Sequence, residues 1–346
     1  MKDLLKKLSE AHGAPGHEEA IAKIVESELK KVCDEIYPDK LGNLIAKKGS
    51  GKPVYMLTAH MDEIGFMVNH IDKNGFVKFV LMGGFYDPSI FGTKVLIHTE
   101  QGDVPGVVGG KPVHIMEEEE RQKVIKWKEL FIDIGAESRE DAEKLGISIG
   151  NPVTFDQRCE FLIKGNKVSG KAMDDRAGLV TLIETMKRLK KFKGTVYLVG
   201  TVQEEVGLKG AQVSAYRLNP DIALAIDVTF AGDQPSVKEE ESPIKLNKGP
   251  AIICAEYMGR GLIANPKINK WLIETAKTNK IPYQLEATFA GMTDAATIYV
   301  TKEGIPSGSI GIPTRYIHTP VETVDMDDIE NTVKLLVAAI EKGIDI

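Results

Sequence analysis

Cysteine is scarce. Only Cys33, Cys159 and Cys254 occur in 346 residues, far apart and odd in number. That excludes a disulfide framework and a cysteine-built zinc site, and it fits a reducing cytoplasm. Long apolar runs are missing too: nothing approaches the ~20 residues that a membrane span needs. The opening MKDLLKKLSEAHGAPG carries charge throughout and lacks the apolar centre of a secretory signal. Basic residues do not dominate, since 44 Lys and Arg stand against 50 Asp and Glu, a net charge of −6 that disfavours nucleic acid as the main partner. Low-complexity tracts and internal repeats are absent. The remainder, 42% hydrophobic and 27% charged, has the composition of a soluble globular protein. Its length suits one large domain plus a smaller one.

Periodicity divides the chain. Residues 2–11 and 17–33 show apolar positions at helical spacing, and PVYMLTAHMDEIG (53–65) gives a short strand ending in His60. From about residue 67 the character changes. Asn74-Gly75 between two apolar runs signals a hairpin, and short strands with Gly-rich turns continue to about 160, interrupted by one short helix, SREDAEKLG. Strands and helices then alternate. A helix (about 175–191) precedes a strand (195–203), followed by strand 221–229, helix PKINKWLIETAKTNK, strand PYQLEATF, helix DAATIYVTKEG, strand IPSGSIGIP and the closing helix DMDDIENTVKLLVAAIEKG. This predicts an α/β fold, a mixed, mostly parallel sheet flanked by helices, built from residues 1–66 and 161–346, with an inserted β-rich domain over 67–160.

Hard polar groups fall at the strand ends, where sites gather in such sheets. His60 and Asp62 follow the first strand, Asp174 and Asp175 stand at a helix start, Glu204 and Glu205 follow the next strand, Asp227 lies within an apolar strand, and His318 sits in a late loop. Each has a bland reading. The Asp pair could cap a helix, the glutamates could face solvent, and EEEER (117–121) is a solvated face. Yet adjacent carboxylates repel unless something positive is close, and a buried unpaired Asp is costly. Two histidines with several carboxylates and no cysteine form a ligand set suited to Zn²⁺, Co²⁺ or Mn²⁺.

TAHMDEIG, GKAMDDRAG, TVQEEVGLKGA, AIDVT, GMTDA and YIHTPVE together resemble the tetrahedral (TET) aminopeptidases, co-catalytic di-metal peptidases, over essentially the whole chain. The resemblance implies two divalent ions per subunit, zinc or cobalt. Asp174 would bridge them, His60 and Asp227 would complete one, and Glu205 and His318 the other. It implies a cis peptide after Asp174, with Asp175 on its far side, Asp62 orienting His60, and Glu204 as general base. The activity implied is removal of N-terminal residues from short peptides. The assembly implied is a homododecamer built from dimers, with the inserted domain at the dimer contact.

Two departures bear on specificity: Met292 and Ser236 stand where such proteins have glycine, in loops expected to face the first-residue pocket. Met292 would narrow the pocket toward small or neutral residues, or act as a flexible wall for longer ones. A deacylase or carboxypeptidase of the same clan is the alternative and would need an arginine for the substrate carboxylate, with Arg176, Arg260 and Arg315 the candidates. A glycosidase would need only two carboxylates. A decayed, non-catalytic scaffold would have lost a ligand or the base, and none is lost here.

Overall fold

The structure, a computed structural model, describes residues 1–162 and 166–345. The first three strands are β1 (Glu35–Pro38), β2 (Leu44–Ser50) and β3 (Val54–His60). The next six are β4 (Gly65–Ile71), β5 (Val77–Met82), β6 (Lys94–Thr99), β7 (Gly102–Gly109), β8 (Phe131–Asp133) and β9 (Pro152–Phe155), and they close into a barrel of their own. The remaining strands, β10 (Glu160–Phe161), β11 (Lys167–Gly170), β12 (Gly194–Thr201), β13 (Ile222–Phe230), β14 (Ala251–Ala255), β15 (Gln284–Ala287), β16 (Ser307–Arg315) and β17 (Glu322–Asp325), join β1–β3 in one large sheet.

The centre of that sheet runs β12-β3-β13-β16, all parallel, and its flanking pairs are mainly antiparallel. Both faces of the centre are covered, which is why these strands read as near-continuous apolar runs. One face carries α1 (Lys2–Glu10), α2 (Glu19–Leu29), α5 (Met173–Arg188), α7 (Pro266–Thr278) and α9 (Met326–Lys342), whose Leu5, Ile21, Leu179, Trp271 and Leu336 enter a single core. The other face carries α6 (Lys209–Leu218) and α8 (Ala295–Ile298). Parallel register puts the carboxyl ends together: His60 lies beside Thr201, and Asp227 beside Gly311.

The barrel has its own core, in which Phe66 packs with Phe79, Phe85 and Phe155 at ring-centroid distances of 4.5, 5.3 and 5.4 Å. Two short helices, α3 (Glu118–Arg121) and α4 (Arg139–Lys144), decorate it, and the Ser138 hydroxyl caps α4 as SREDAEKLG implied. The Asn74-Gly75 turn forms because Asp72 accepts the Asn74 and Phe76 amides, with Gly75 at φ +89°.

The helix expected over DAATIYVTKEG is corrected. Only Ala295–Ile298 is helical, and the β-branched Val300 and Thr301 and then Gly304 follow it. Among the described residues no helix is long and apolar enough to cross a membrane.

A buried ionic cluster ties the start of the chain to the loop after β3. Lys171, 1% exposed, donates to both Glu63 oxygens at 2.7 and 2.6 Å and to the Ala11 carbonyl at 2.8 Å. Arg176 donates to the Leu8 and Met61 carbonyls, and Glu63 accepts the Gly13 amide. Burial disfavours the Glu63 carboxylate, but Lys171 and Arg176 outweigh it and hold its pKa below the usual value. Lys171→Met strands Glu63 in the interior and should cost about 3–5 kcal/mol of stability. A loss below about 1 kcal/mol on denaturant unfolding would show the cluster to be dispensable.

Candidate active site

The turn after β12 is built by side chains rather than by sheet pairing. Strand β12 ends at Thr201, Gln203 adopts the left-handed region at φ +55°, and Glu204 and Glu205 follow. Asp62, fully buried, accepts the Glu204 amide on Oδ1 at 2.9 Å and the Glu205 amide on Oδ2 at 3.1 Å. His60 Nδ1 lies 3.0 Å from the Asp62 carbonyl oxygen and 3.6 Å from its carboxylate. A carbonyl only accepts, so Nδ1 carries a hydrogen; Nε2 faces the acids, donating to Asp174 when the ring is charged and offering its lone pair to a cation when the ring is neutral.

Asp174 and Asp175 are joined by a cis peptide, as the resemblance implied, and both depart from helical φ/ψ. Asp175 Oδ1 accepts the Gly178 amide, and Oδ2 accepts the His60 amide at 3.2 Å. It therefore caps the regular part of α5 and tethers it to the end of β3. Asp174 faces outward, with Oδ1 2.9 Å from His60 Nε2 and Oδ2 3.4 Å from His318 Nε2. Glu322 holds the pieces together. Its oxygens accept the Asp174 and His318 amides, each at 2.9 Å.

Three groups result whose donor atoms lie within 4.8 Å of one another: His60, Asp174 and Asp227; Asp174, Glu205 and His318; and His60, Glu204 and Glu205. Asp174, His60 and Glu205 each belong to two of them, and Asp174 turns one oxygen toward each imidazole. The groups line a cavity of about 550 Å³ together with Val228, Phe230, Ile253, Met292 and Ser309. Among the described residues no lysine or arginine lines it.

The charge balance is correspondingly strained. Burial, with Glu205 and Asp294 adding to it, pushes the Glu204 carboxyl well up. Burial, then Asp175 and Asp174, does the same to Asp227. Glu205 rises to about 7 through burial and Asp174, partly offset by His318, and Glu322 rises to about 8 through burial and Asp174. Burial opposes a charged His318, but Glu205 and Asp174 lift it to about 10, and hydrogen bonds to Asp174 and Asp62 likewise raise His60. Asp174 is held low: burial works against its ionisation, but His318 and His60 prevail. A borderline-to-hard donor set of clustered carboxylates and imidazoles, with no lysine or arginine among the described residues lining the cavity, fits divalent cations.

The residues singled out in the sequence, His60, Asp62, Asp174, Glu204, Glu205, Asp227 and His318, meet here. The pocket loops do so only in part: Met292 lines the cavity, whereas Ser236 is exposed and outside it. Sequence reasoning missed Glu322, although it stands inside YIHTPVE. It also missed Gly83 and Gly84 of the barrel. A Cβ at Gly83 would come within 3.2 Å of Glu205 Oε2, and one at Gly84 within 3.2 Å of His318 Nδ1. The Gly-Gly pair in LMGGF was the available signal for this close approach.

The sign of the pH dependence follows for metal-free protein. Raised carboxyl pKa values mean that the folded state binds more protons than the unfolded chain, and the raised His60 and His318 act in the same sense. This stability is present at about pH 5 and is lost as pH climbs through the folded values, from about 7 for Glu205 to about 8 for Glu322 and about 10 for His318. The melting temperature of chelator-stripped protein should therefore fall between pH 5 and 9, and added divalent metal should flatten the fall. A stripped protein that gains stability across that window would contradict this balance.

Comparison with known proteins agrees with the geometry. The family model for the M42 glutamyl aminopeptidases matches residues 42–335. A lysyl aminopeptidase of Pyrococcus furiosus is 38% identical over 343 residues, covering 98% of this chain and 96% of that one. The solved aminopeptidase from the archaeon Desulfurococcus kamchatkensis superposes with a TM-score of 0.94 at 42% identity, over 99% of this chain and 94% of the other. The TET1 peptidase of Pyrococcus horikoshii, which can assemble into a tetrahedron or a large octahedral shell, gives 0.89 at 34% identity over 98% of each chain. With the motifs, the fold and the carboxylate–imidazole cavity in agreement, the chain is a peptidase of the M42 aminopeptidase family, related to the TET aminopeptidases.

Proposed function

We propose that this protein removes N-terminal residues from short peptides, using two divalent ions and Glu204 as general base. The observation that carries the reading is the sharing of Asp174 between two donor groups in a cavity that Glu204 also lines. Zinc or cobalt held by His60, Asp174 and Asp227 on one side, and by Asp174, Glu205 and His318 on the other, would supply Lewis acidity to water and scissile carbonyl and an anchor for the free α-amine. Glu204 takes a proton from the attacking water and returns one to the departing amine. Asp62 keeps Glu204 and Glu205 at their stations and His60 in the tautomer that leaves Nε2 free.

The carboxypeptidase or deacylase alternative loses its candidate residues. Arg176 is spent on buried carbonyls and Glu63, Arg315 pairs with Asp233 at 2.7 Å, and Arg260 is exposed over Tyr257; none of them lines the cavity. The only ionisable wall residue among the described ones, apart from the metal-binding candidates and Glu204, is Glu256. An acidic first side chain would meet that carboxylate rather than a cation, so neutral residues suit the pocket better than acidic ones. We propose further that this chain assembles into a closed dodecameric shell, since a related TET1 peptidase structure is a dodecamer and the Pyrococcus horikoshii TET1 peptidase can form a tetrahedron, and that residues 67–160 make its dimer contact.

Chelator-stripped protein should be inert toward aminoacyl-anilides and regain hydrolysis with cobalt or zinc, while N-acetylated versions stay intact. Glu204→Gln should retain metal and lose about 10²–10⁴-fold in kcat. A Glu204→Gln enzyme within about tenfold of the parent would remove the base assignment.

A further inference from the structure

Where β12 stops pairing, consecutive backbone N–H groups are left inside the protein and need acceptors. Val202 donates to Asn43 Oδ1 at 3.0 Å, Gln203 to Glu18 Oε1 at 3.1 Å, and Glu204 and Glu205 to the two oxygens of Asp62. Each acceptor comes from a part of the chain remote from β12. Glu18 is the furthest, 185 residues from Gln203, and only 5% exposed. The same Oε1 also accepts the Gly16 amide at 2.7 Å, so the loop before α2 fixes the acceptor in place.

We infer that Glu18 is a positioning residue for Glu204: its Oε1 holds Gln203 in the left-handed conformation from which the chain delivers Glu204 into the cavity. Gln203 is not glycine, and φ +55° is unfavourable for it. An extended Gln203 would continue the strand, and successive side chains would then alternate between faces, taking Glu204 and Glu205 to opposite sides of the sheet. Asp62 holds the next two amides, and Glu18 holds the amide of the bent residue itself. Glu18 is outside the cavity lining and does not reach substrate, so its influence on turnover runs through the backbone. Both bonds use one oxygen, which makes reach rather than charge the requirement. Glutamine at 18 keeps that oxygen at the same reach, whereas aspartate keeps the charge and withdraws the oxygen by one methylene.

The inference rests on the general-base reading of Glu204, and the test separates the two. Parent, Glu18→Gln and Glu18→Asp proteins, each loaded with cobalt, are compared in aminoacyl-anilide kinetics and in amide hydrogen exchange of the segment containing Gln203–Glu205. Glu18→Asp should lose on the order of tenfold to a hundredfold in kcat, with KM within about threefold, the size of effect expected when a reacting group is displaced by about 1 Å. Its turn amides should exchange faster. Glu18→Gln should stay near the parent in both measurements. Parental kcat in Glu18→Asp, an equal loss in Glu18→Gln, or a loss fully restored by excess metal would overturn the inference. If the parent itself releases no product, the aminopeptidase reading fails, and the exchange comparison still decides whether Glu18 holds the turn.

Discussion

Charge is the constraint on which the rest of this structure depends. Asp62, Asp174, Asp175, Glu204, Asp227 and Glu322 are all buried at one edge of the sheet, with Glu205 beside them, and the cavity they adjoin is lined by two imidazoles and, among the described residues, by no lysine or arginine. Such a concentration of carboxylates is tolerable only if protons or cations enter with them. The acids divide the work by where their oxygens point. Asp62, Asp175 and Glu322 turn theirs toward backbone amides, whereas Asp174, Asp227, Glu204 and Glu205 present theirs to the cavity. The first set converts loops into a rigid cradle; the second gives the cradle a donor set that fits cations.

The fold serves that arrangement. Parallel pairing of β12, β3 and β13 brings Thr201, His60 and Asp227 to one edge, which no hairpin arrangement of the same strands would do. Left-handed residues then redirect the chain where the strands and helices end. Ala172 precedes the Asp pair, Gln203 the Glu pair, and His318 adopts φ +60° itself. The barrel closes the far side through Gly83 and Gly84, whose missing side chains leave room for Glu205 and His318. Two separately cored units thus share one site, and the cavity wall combines main-sheet loops with a barrel turn.

Much of this was legible in the sequence, for physical reasons that differ by element. The central strands declared themselves because burial on both faces demands apolar runs, and the long helices because one stripe must be apolar. Asp227 stood out as a charge in such a run. Strand β2 was harder to see, since Lys47, Lys48 and Gly49 dilute its pattern, and β14 is only five residues long. The stretch after Asp294 misled because its alanines favour helix while the β-branched residues that follow do not. Glu18, Glu322 and Asn43 could not be read as functional from composition or spacing. Their importance lies in which backbone amide they meet, and such contacts join residues 148 to 185 positions apart.

The central claim is that the carboxylate cluster is organised around two cations that share Asp174. Anomalous scattering from crystals of the protein grown with zinc or cobalt tests it directly. The account predicts two peaks in each cavity, both in contact with Asp174, one flanked by His60 and Asp227 and the other by Glu205 and His318. A single peak, or metal bound away from Asp174, would contradict it.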